Sequence, residues 1–427
     1  MSEVKLGDVS FITKLAGFEH TKYIQGNNTH EKISEDDVPL FIGKTVQNGK
    51  IDRNFDWYIP KQISDQLERS KLNKKCLVLP YVGSVGDLAI FDATYDAHLG
   101  SNIAKIELAC NSGYSEEFIY YFLKSDYGQK VLLRDIQGAI QKNITMKAIR
   151  DVSLPDISIQ EQDKIVSILK SLDDKIDNNN QINQELETMA KILYDYWFVQ
   201  FDFPDQNGKP YKSSGGKMVY HPELKREIPE GWGVEKIENI AQTGSGGTPK
   251  STNVSYYSNG EIPWINSGEL EQTVITSTSN FITEEGLNNS SAKLFPSGTI
   301  LVAMYGATAG KVSFLTFEAS TNQAICAITL TDIRMRYYLK NVIEDLYQYL
   351  VKLSTGSARD NLSQDMIKNI KVVIPSNDIL DRFYDFSNNI IKEITKKQQE
   401  NEQLTQLCDW LLPMLMNGQV KVEDFTI

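Results

Sequence analysis

GAIQKNITMKAIRDV (residues 138–152) and GSARDNLSQDMIKNI (residues 356–370) are two versions of one segment within a single chain. Identical residues occupy three matching pairs, Gly138 and Gly356, Asn143 and Asn361, and Ile149 and Ile367. Similar residues, such as Ile144 and Leu362, fill several positions between them. A segment that recurs in this way indicates that the chain contains a duplicated unit.

The likeness extends upstream of both copies, in the same order along the chain. The matching segments are VKLGDV (4–9) with VEKIENI (234–240), VPLFIG (38–43) with IPWINSGEL (262–270), LVLPYVGSVGDLAIF (77–91) with ILVAMYGATAGKVSF (300–314), and SNIAKIEL (101–108) with TNQAICAITL (321–330). The third pair wraps apolar, β-branched runs around a glycine-rich turn, which predicts a hairpin or a bulged strand pair in each half. The fourth pair alternates like a half-buried strand.

Each half changes character after its last shared segment. From Gln160 to about Gln200, and again from about Phe383 to Leu411, apolar residues recur at steps of three and four, which predicts a long amphipathic helix in each half. A helix of about 40 residues is roughly 60 Å long. Pro413 is expected to close the second helix, because a helix interior does not accept proline. The residues expected at the helix seam or at a docking surface are Ile165, Leu169, Leu172, Ile176, Leu186, Phe383, Ile390, Ile394, Leu404 and Leu411.

Both helices turn polar near their midpoints. The polar seam residues are Asn178, Asn179, Asn180 and Asn183 in the first helix, and Lys397 and Asn401 in the second. Asparagine at a buried seam weakens a pair of helices but fixes their register and the choice of partner. We therefore expect the two helices to pack on each other in one alignment.

The expected fold class is α+β. Two similar α/β domains would each be followed by a long α-helix, and the two helices would pack as an antiparallel coiled coil with pseudo-twofold symmetry. The segment between the copies is rich in Pro, Gly and Ser and shows no helical or strand period, so we interpret it as a linker. The predicted boundaries are 1–155 and 234–376 for the domains, 156–203 and 377–417 for the helices, 204–233 for the linker and 418–427 for a tail.

Composition limits the possible functions. A chain of 427 residues is too long for one ordinary core, so two or more domains are expected. The net charge of -12 argues against a nucleic-acid partner, but the two predicted helices carry -7 of it, which leaves room for a basic face elsewhere. Four cysteines and four histidines are scattered without ligand spacing, so neither disulfides nor a metal are expected. No apolar run has the length of a membrane span and the first residues do not form a signal peptide, so a cytoplasmic location is expected.

The order of these segments resembles the specificity subunits of type I restriction-modification systems. The residues that carry the likeness are DYWFVQFDF (195–203), IPEGW (228–232), GGTP (246–249), GEIPWINSGEL (260–270), YGATAGKV (305–312) and LLPMLMNG (411–418). No single one of these motifs is specific. Their order in duplicate is specific, and it covers essentially the whole chain.

The resemblance implies that this chain is a non-catalytic reader of double-stranded DNA. Its two domains would be target recognition domains, each reading one half of a bipartite sequence. Its helices would set the gap between the halves and dock two modification subunits, which would bind S-adenosylmethionine and methylate adenine. Separate restriction subunits would supply cleavage that depends on ATP and Mg²⁺.

The residues themselves agree with a reader that has no chemistry of its own. The chain contains no NPPF, NPPY or DPPY motif of the kind with which amino-methyltransferases hold a flipped base. GSGGTPKS (244–251) comes nearest to a phosphate-binding loop, but Pro249 precedes Lys250 where such a loop needs the freedom of glycine. We therefore expect no catalytic residue, no metal ligand and no cofactor bound by this chain.

Candidate DNA contacts in the second half lie in and after a glycine-rich polar loop. Amines and hydroxyls can bind phosphates, aromatic faces can contact bases, and side-chain amides suit adenine edges in the major groove. The candidates are Thr248, Lys250, Ser251, Thr252, Tyr256, Tyr257, Tyr305, Lys311, Asn322 and Gln323. The alternative interpretation for the loop residues among them is an ordinary solvated loop.

The first half offers candidates at the places that match these. Tyr81, Ser84 and Asn102 lie at the glycine turn and at the start of the following strand. The polar loop contributes Lys14, His20, Lys22 and Tyr23. This loop lacks the GGTP of the second half.

The repeated segment near the end of each domain gives the last candidates. Gln141 is a candidate contact, and Lys142 and Arg359 are expected to bind phosphates. Asn143 and Asn361 are expected to be helix caps, and Ser363 is a further possible cap of a helix that begins near Gln364.

Two other functions are compatible with the sequence. The acidic charge is compatible with a two-domain adaptor or scaffold that binds only other proteins. A methyltransferase or nuclease in its own right is the third possibility, and the missing motifs argue against it.

Overall fold

The computed structural model of the chain describes residues 4–83, 85–134, 143–306, 308–353 and 362–416. The chain divides into two compact units, of which the first comprises residues 1–176 and 403–427 and the second residues 177–402. Each of the two long helices contributes one part to each unit, because the divisions fall inside them.

The first unit contains two four-stranded sheets. Its strands are β1 (Ser10–Lys14), β2 (Val38–Phe41), β3 (Val46–Gln47), β4 (Lys50–Ile51), β5 (Tyr58–Ile59), β6 (Lys71–Leu72), β7 (Cys76–Pro80), β8 (Ala89–Phe91), β9 (Ala97–Leu99) and β10 (Ile103–Leu108). Its helices are α1 (Leu6–Val9), α2 (Gly17–Glu19), α3 (Lys61–Gln66), α4 (Glu116–Lys124), α5 (Asp126–Leu132), α6 (Met146–Arg150) and the start of α7 (Ile159–Tyr194). The strand orders are β1-β10-β7-β8 and β5-β2-β9-β6, with β3 and β4 forming a separate pair.

The second unit repeats both sheets and adds strands. Its strands are β11 (Met218–His221), β12 (Arg226–Pro229), β13 (Gly233–Lys236), β14 (Ala241–Ser245), β15 (Ile262–Ile265), β16 (Val274–Ile275), β17 (Phe281–Ile282), β18 (Leu294–Phe295), β19 (Ile300–Ala303), β20 (Val312–Leu315), β21 (Ala319–Thr321), β22 (Ile325–Leu330) and β23 (Lys371–Ile374). Its helices are α8 (Ile237–Ile240), α9 (Glu284–Asn288), α10 (Arg336–Leu353), α11 (Gln364–Lys368) and most of α12 (Asn377–Met416). The strand orders are β14-β22-β19-β20-β16 and β17-β15-β21-β18.

The first sheet has the same strand register in both units. Ser10 faces Leu108 across β1 and β10, and Ala241 faces Leu330 across β14 and β22. The central strands β7 and β19 are buried along their whole length, as expected for continuous apolar runs covered on both faces. The hairpin predicted around each glycine-rich turn is confirmed, because β7 pairs with β8, and β19 with β20, in antiparallel fashion.

The second sheet repeats its register as well, including one parallel pair. Leu40 faces His98 where β2 runs parallel to β9, and Trp264 faces Ser320 where β15 runs parallel to β21. Parallel neighbours require a long crossover between them, so two independent folds would not reproduce this arrangement residue for residue. The two units therefore share one fold, as the duplicated sequence predicted.

Each domain is closed by pairing its beginning with its end. In the second unit β13 pairs with β23, and Ile237 N donates to Ile370 O over 3.0 Å. In the first unit Leu6 N donates to Val152 O over 2.8 Å. The short helices α1 and α8 follow these contacts, and their first residues, Leu6 and Ile237, are fully buried.

The long helices run antiparallel where they meet within the second unit. Leu186, near the end of α7, packs in the same core as Ile390 and Ile394 near the start of α12. Asn179, earlier in α7, hydrogen-bonds to Asn401, later in α12. In the first unit, Ile165 and Leu169 share a core with Leu411, Leu412, Leu415 and Met416. Of the predicted seam residues, Ile165, Leu169, Phe383, Ile390, Ile394 and Leu411 are buried, and Leu172, Ile176, Leu186 and Leu404 are half-buried.

The prediction that Pro413 closes the second helix is wrong. Helix α12 continues to Met416 with Pro413 inside it. Proline so near a helix end removes a single ladder hydrogen bond. Leu415 and Met416, beyond it, are 2 % and 6 % exposed, so burial of these apolar side chains offsets the loss.

The segment between the copies is not free of regular structure, contrary to the prediction. Strands β11 and β12 pair antiparallel within it, from Met218 opposite Pro229 to His221 opposite Arg226. Phe201, Phe203 and Trp232 are buried around it, and the rings of Phe203 and Trp232 stack with centroids 4.9 Å apart. The segment is therefore packed into the core of the second unit.

Candidate nucleic-acid interface

The connection between β14 and β15, residues 246–261, carries most of the candidates in the second unit. Two hydrogen bonds fix the backbone of Gly247 at the start of this connection. Gly247 N donates to Thr321 O over 2.9 Å, and Trp264 Nε1 donates to Gly247 O over 3.0 Å. A side chain on Gly247 would collide with Ser291 and Ala292, so the glycine is required by this close approach. The connection therefore has a defined position on its sheet.

The polar candidates of the connection are exposed above these contacts. Thr248, Lys250, Ser251 and Thr252 are all exposed. Thr248 Oγ1 donates to Gln323 Oε1 over 2.5 Å, so the structure brings these two predicted residues together. The carboxamide nitrogen of Gln323 and the ammonium of Lys250 are two hydrogen-bond donors that this surface carries.

Two tyrosines anchor the end of the connection. Tyr257 donates its hydroxyl to Pro249 O over 2.5 Å, and burial raises the pKa of this phenol. Tyr256 is half-buried, and its backbone lies against Gly286 of α9. The side chain of Tyr257 therefore holds the loop in place, and both tyrosines remain candidate contacts.

Asn322 lies beside this connection, at the approach to β22. Its Nδ2 donates to Asn266 Oδ1 over 3.3 Å, and its own Oδ1 accepts from Ala324 N at 3.0 Å. Asn266 lies in the segment GEIPWINSGEL and is not among the residues predicted from the sequence. Only the contact with Asn322, which is distant in sequence, marks it.

The glycine turn of the second unit faces a different neighbour. Gly310 packs against the ring of Tyr347 in α10, and Tyr305 is half-buried against the core. Lys311 is exposed and lines a cleft of about 330 Å³ with residues of α7, α10 and α12, among them Lys340, Asn341 and Ser387. In the described part of the chain, the side chain of Lys311 forms no hydrogen bond, ion pair or ring contact with residues 246–261.

The first unit brings together two of its candidates at the matching place. The ammonium of Lys14, at the end of β1, lies 4.6 Å from the centroid of the Tyr81 ring, a cation–π contact. Tyr81 N donates to Asn102 O over 3.0 Å. Asn102 is exposed with a φ of 66°, a left-handed conformation that asparagine tolerates better than most residues.

The registers correct one equivalence that the sequence suggested between the halves. Tyr81 N bonds to Asn102 O as Met304 N bonds to Ala324 O. Tyr81 therefore occupies the place of Met304, as the pairing of residues 77–91 with residues 300–314 predicted, and Asn102 occupies the place of Ala324, not that of Asn322. The sequence suggested the match with Asn322 because both segments begin with a hydroxyl residue followed by asparagine.

Three further candidates of the first unit lie on one helical turn. His20, Lys22 and Tyr23 fall within a π-helical turn, His20–Ile24, that follows α2. The ammonium of Lys22 lies 4.7 Å from the centroid of the Tyr23 ring. Isolated π-helical turns are frequent at functional sites.

Several candidates fall outside the described residues. These are Ser84, Gln141, Lys142 and Arg359, together with the expected cap Asn361. The cap expected at Asn143 is wrong, because Thr145 accepts from Ala148 N at the start of α6 while Asn143 forms a bridge with Val82. Ser363 is confirmed as a cap, since it accepts from Met366 N at the start of α11.

The two surfaces carry neither a metal site nor a membrane-spanning element in the part of the chain that is described. Within residues 4–416 as far as they are described, no three His, Cys, Asp or Glu side chains are grouped as metal ligands. In the same part of the chain, every helix is too short or too polar to span a bilayer. What the two surfaces do offer is a set of exposed and half-buried amines, amides, hydroxyls and rings.

Comparisons with known proteins agree with the duplicated architecture. The family described as "Type I restriction modification DNA specificity domain" matches residues 1–188 and 229–406. The MjaIX type I restriction enzyme specificity subunit of Methanocaldococcus jannaschii is 26% identical over 334 residues, 75% of this chain and 75% of the relative. The HindI specificity subunit of Haemophilus influenzae is 26% identical over 358 residues, 71% of this chain and 77% of the relative.

One solved structure shares the fold. The crystal structure of the type I restriction-modification system S subunit from M. genitalium matches with a TM-score of 0.52 and 15% identity, over 97% of this chain and 95% of that one. At this identity the likeness concerns the fold alone.

Proposed function

The chain belongs to the family of type I restriction-modification specificity subunits, and from that premise we propose that each of its two domains reads one half of a bipartite DNA target. The observation that carries this proposal is the repeated register. Both domains hold their first and second sheets in the same alignment, from Ser10–Leu108 and Ala241–Leu330 to Leu40–His98 and Trp264–Ser320.

The connections on these equal scaffolds differ. Residues 15–37 follow β1 and residues 246–261 follow β14. The two connections differ in length and in sequence, and only the second contains GGTP. Equal scaffolds with unequal loops suit two readers of two different sequences, because base edges are read by side chains while the scaffold fixes only position. We accordingly propose DNA contacts for Lys14, His20, Lys22, Tyr23, Tyr81 and Asn102 in the first domain and for Thr248, Lys250, Ser251, Thr252, Asn322 and Gln323 in the second.

The long helices would set the gap between the half-sites and dock two modification subunits. Their acidic surface, which carries -7 of the net -12, is unsuited to DNA but suited to protein partners. The modification subunits would supply S-adenosylmethionine and adenine methylation, and restriction subunits would supply chemistry driven by ATP with Mg²⁺. The chain itself would remain a non-catalytic reader.

Methylation mapping tests the proposal directly. The full chain is expressed with its modification subunit in cells without other methylases, and methylated adenines are located by sequencing. We expect one bipartite motif with a constant gap. Replacing Asn322 and Gln323 by alanine removes two side-chain amides that suit adenine edges, so it should change one half of the motif and leave the other half and the gap as they were.

A matched control uses the exposed turn of Gln206, Asn207 and Lys209, where alanine replacements should leave the motif intact. Methylation that does not depend on this chain would favour the adaptor alternative. A loop variant that alters both halves together would contradict independent reading by the two domains.

A further inference from the structure

Among the described residues, the three most exposed large apolar side chains lie on connections that are equivalent in the two domains. Ile33 is 78% exposed, Phe18 71% and Val254 70%, and the next among the described residues is Ile192 at 63%. Phe18 and Ile33 lie on the connection from β1 to β2, and Val254 lies on the connection from β14 to β15. These are equivalent connections, because β1 and β14, and likewise β2 and β15, pair in the same register.

Ile33 differs from Phe18 and Val254 in the charge of its neighbouring residues. Glu31, Glu35, Asp36 and Asp37 surround it with a single cation, Lys32, among them. Asp37 also accepts from Ile33 N at 3.0 Å, so one carboxylate is fixed beside it. A surface of this kind repels phosphates.

The sequence neighbours of Phe18 and Val254 are mostly cationic or neutral. Lys14, His20 and Lys22 lie near Phe18 in sequence, and the one acid among them, Glu19, is engaged as an acceptor for Ala16 N at 3.0 Å. Between residues 246 and 260, Lys250 is the single charged residue, and Glu261 ends the connection. The turn Val254–Tyr256 also packs against the start of α9, where Thr283 Oγ1 donates to Ser255 O and where Glu284 and Glu285 are exposed. Val254 itself projects from a loop of amines, hydroxyls and amides that suits a hydrogen-bonding partner.

Both side chains are presented by short, anchored helical turns. Val254 opens the turn Val254–Tyr256, where Asn253 Oδ1 accepts from Ser255 N and Tyr257 is tied to Pro249. Phe18 lies in α2, directly before the turn His20–Ile24, whose last residue is fully buried. An apolar side chain held rigidly in water carries a hydration cost that contact with an apolar group would remove.

On the premise of the DNA-reading function proposed above, we propose that Phe18 and Val254 each contact the C5-methyl group of a thymine in the half-site of their own domain. The major groove of DNA presents hydrogen-bonding groups and one apolar group, the C5-methyl group of thymine. Apolar side chains recognise that methyl group by direct contact. Both residues would thus discriminate thymine from cytosine by apolar contact rather than by hydrogen bonds. Ile33, in its acidic run, takes no part.

Deoxyuridine tests this, because it differs from thymidine only by the missing methyl group. The full chain with its modification subunit is bound to duplexes that carry the mapped target, with each thymine in turn replaced by uracil. We expect wild-type affinity to fall about fourfold at one or more thymines of the second half-site, the factor that burial of one methyl group supplies. Val254→Ala should weaken binding to the normal target by a similar factor and show no further weakening with uracil at that position.

Phe18→Ala should behave in the same way on the first half-site. Ile33→Ala is the matched control on the same connection, and it should keep both wild-type affinity and the wild-type response to uracil. Because all three side chains are exposed, their variants should melt at the wild-type temperature, which separates an effect on the DNA interface from an effect on folding.

Three results would overturn the inference. They are a wild-type complex indifferent to uracil at every thymine, a Val254→Ala complex that keeps the full response, and an Ile33→Ala variant as impaired as Phe18→Ala. A wild-type complex that selects no sequence at all would instead reject the proposed function itself, and that result is distinct from the other three.

Discussion

The side-chain amide of Asn179 donates to the side-chain oxygen of Asn401 over 2.9 Å, and Asn179 has no exposed surface. The same amide group contacts Glu400 at 2.9 Å, and its oxygen accepts from Lys397 at 3.3 Å. The asparagines predicted to interrupt the helix seam therefore join the two helices directly. Such a polar contact has one satisfied alignment, whereas apolar seams tolerate several.

Replacing Asn179 by leucine should destabilise this helix pair. Lys397 and the side-chain oxygen of Asn401, both half-buried, then lose their shared partner, and a lost hydrogen bond costs about 1 kcal/mol. Urea unfolding of the full chain followed by circular dichroism measures the change in stability. The double variant Asn179→Leu with Asn401→Leu should recover part of the stability, while Gln184→Leu on the exposed face should be neutral within about 0.5 kcal/mol.

The glycine turn offers a pair of glycines that separates backbone strain from steric collision. Gly306 and Gly310 both have left-handed φ angles, 92° and 78°. A side chain at Gly306 would meet open space, whereas a Cβ at Gly310 would lie 2.0 Å from Tyr347 Cδ1. Gly306→Ala should cost about 1–2 kcal/mol of backbone strain, and Gly310→Ala should cost clearly more.

The melting temperatures of both single variants and of the double variant Gly310→Ala with Tyr347→Ala test this prediction. Removal of the ring should bring the cost of alanine at position 310 down to that at position 306. Equal costs for the two single variants would show that α10 yields to the added methyl group.

The buried imidazole of His98 predicts a pH dependence of stability in the first unit. Burial lowers the pKa of His98 from 6.5 to about 3, with smaller contributions from the charges of Lys105 and Lys71. Ser64 Oγ lies 3.0 Å from its Nδ1, and its Nε2 is buried with no hydrogen-bond partner among the described residues. The unfolded chain therefore takes up a proton that the folded chain refuses, and this lowers stability as the pH falls below about 6.5.

Between pH 7 and pH 5 this effect should cost about 2 kcal/mol. Hydrogen exchange of peptides covering β9 confines the measurement to the first unit. The replacement His98→Gln removes the titrating group, so protection of β9 in that variant should change less over the same pH range. Parallel decreases in protection in the wild type and the variant would assign the acid sensitivity to other groups.

The strands of the repeat could be predicted because their patterns are local. Runs such as CLVLP and ILVA are buried along their whole length and bounded by glycine turns, so hydrophobicity alone marks them. The strands β11 and β12 could not be predicted in the same way. They lie mostly at the surface, where Val219 and Tyr220 are exposed, so no alternation of apolar and polar residues reveals the hairpin.

The arrangement of the candidate site depends on contacts between residues distant in sequence. Thr248 meets Gln323 because Gly247 N donates to Thr321 O, and Asn322 meets Asn266 because β15 runs parallel to β21. The residue types could be predicted from the sequence, but these pairs could not. Nor could the place of Lys311, which lines the cleft beside α10 although it flanks the same glycine turn as Tyr305.

Lys250 and Lys311 therefore provide the last prediction, which concerns the salt dependence of DNA binding. Removing one phosphate contact reduces the slope of log K against log [salt] by about one unit. Lys250→Ala and Lys311→Ala should each weaken binding to all sequences alike and flatten this slope. Lys209→Ala, in an exposed turn of the same unit, is the control and should leave the slope unchanged. A slope that Lys250→Ala does not alter would reject a phosphate contact for that residue, and a slope that only Lys250→Ala alters would assign Lys311 to the cleft.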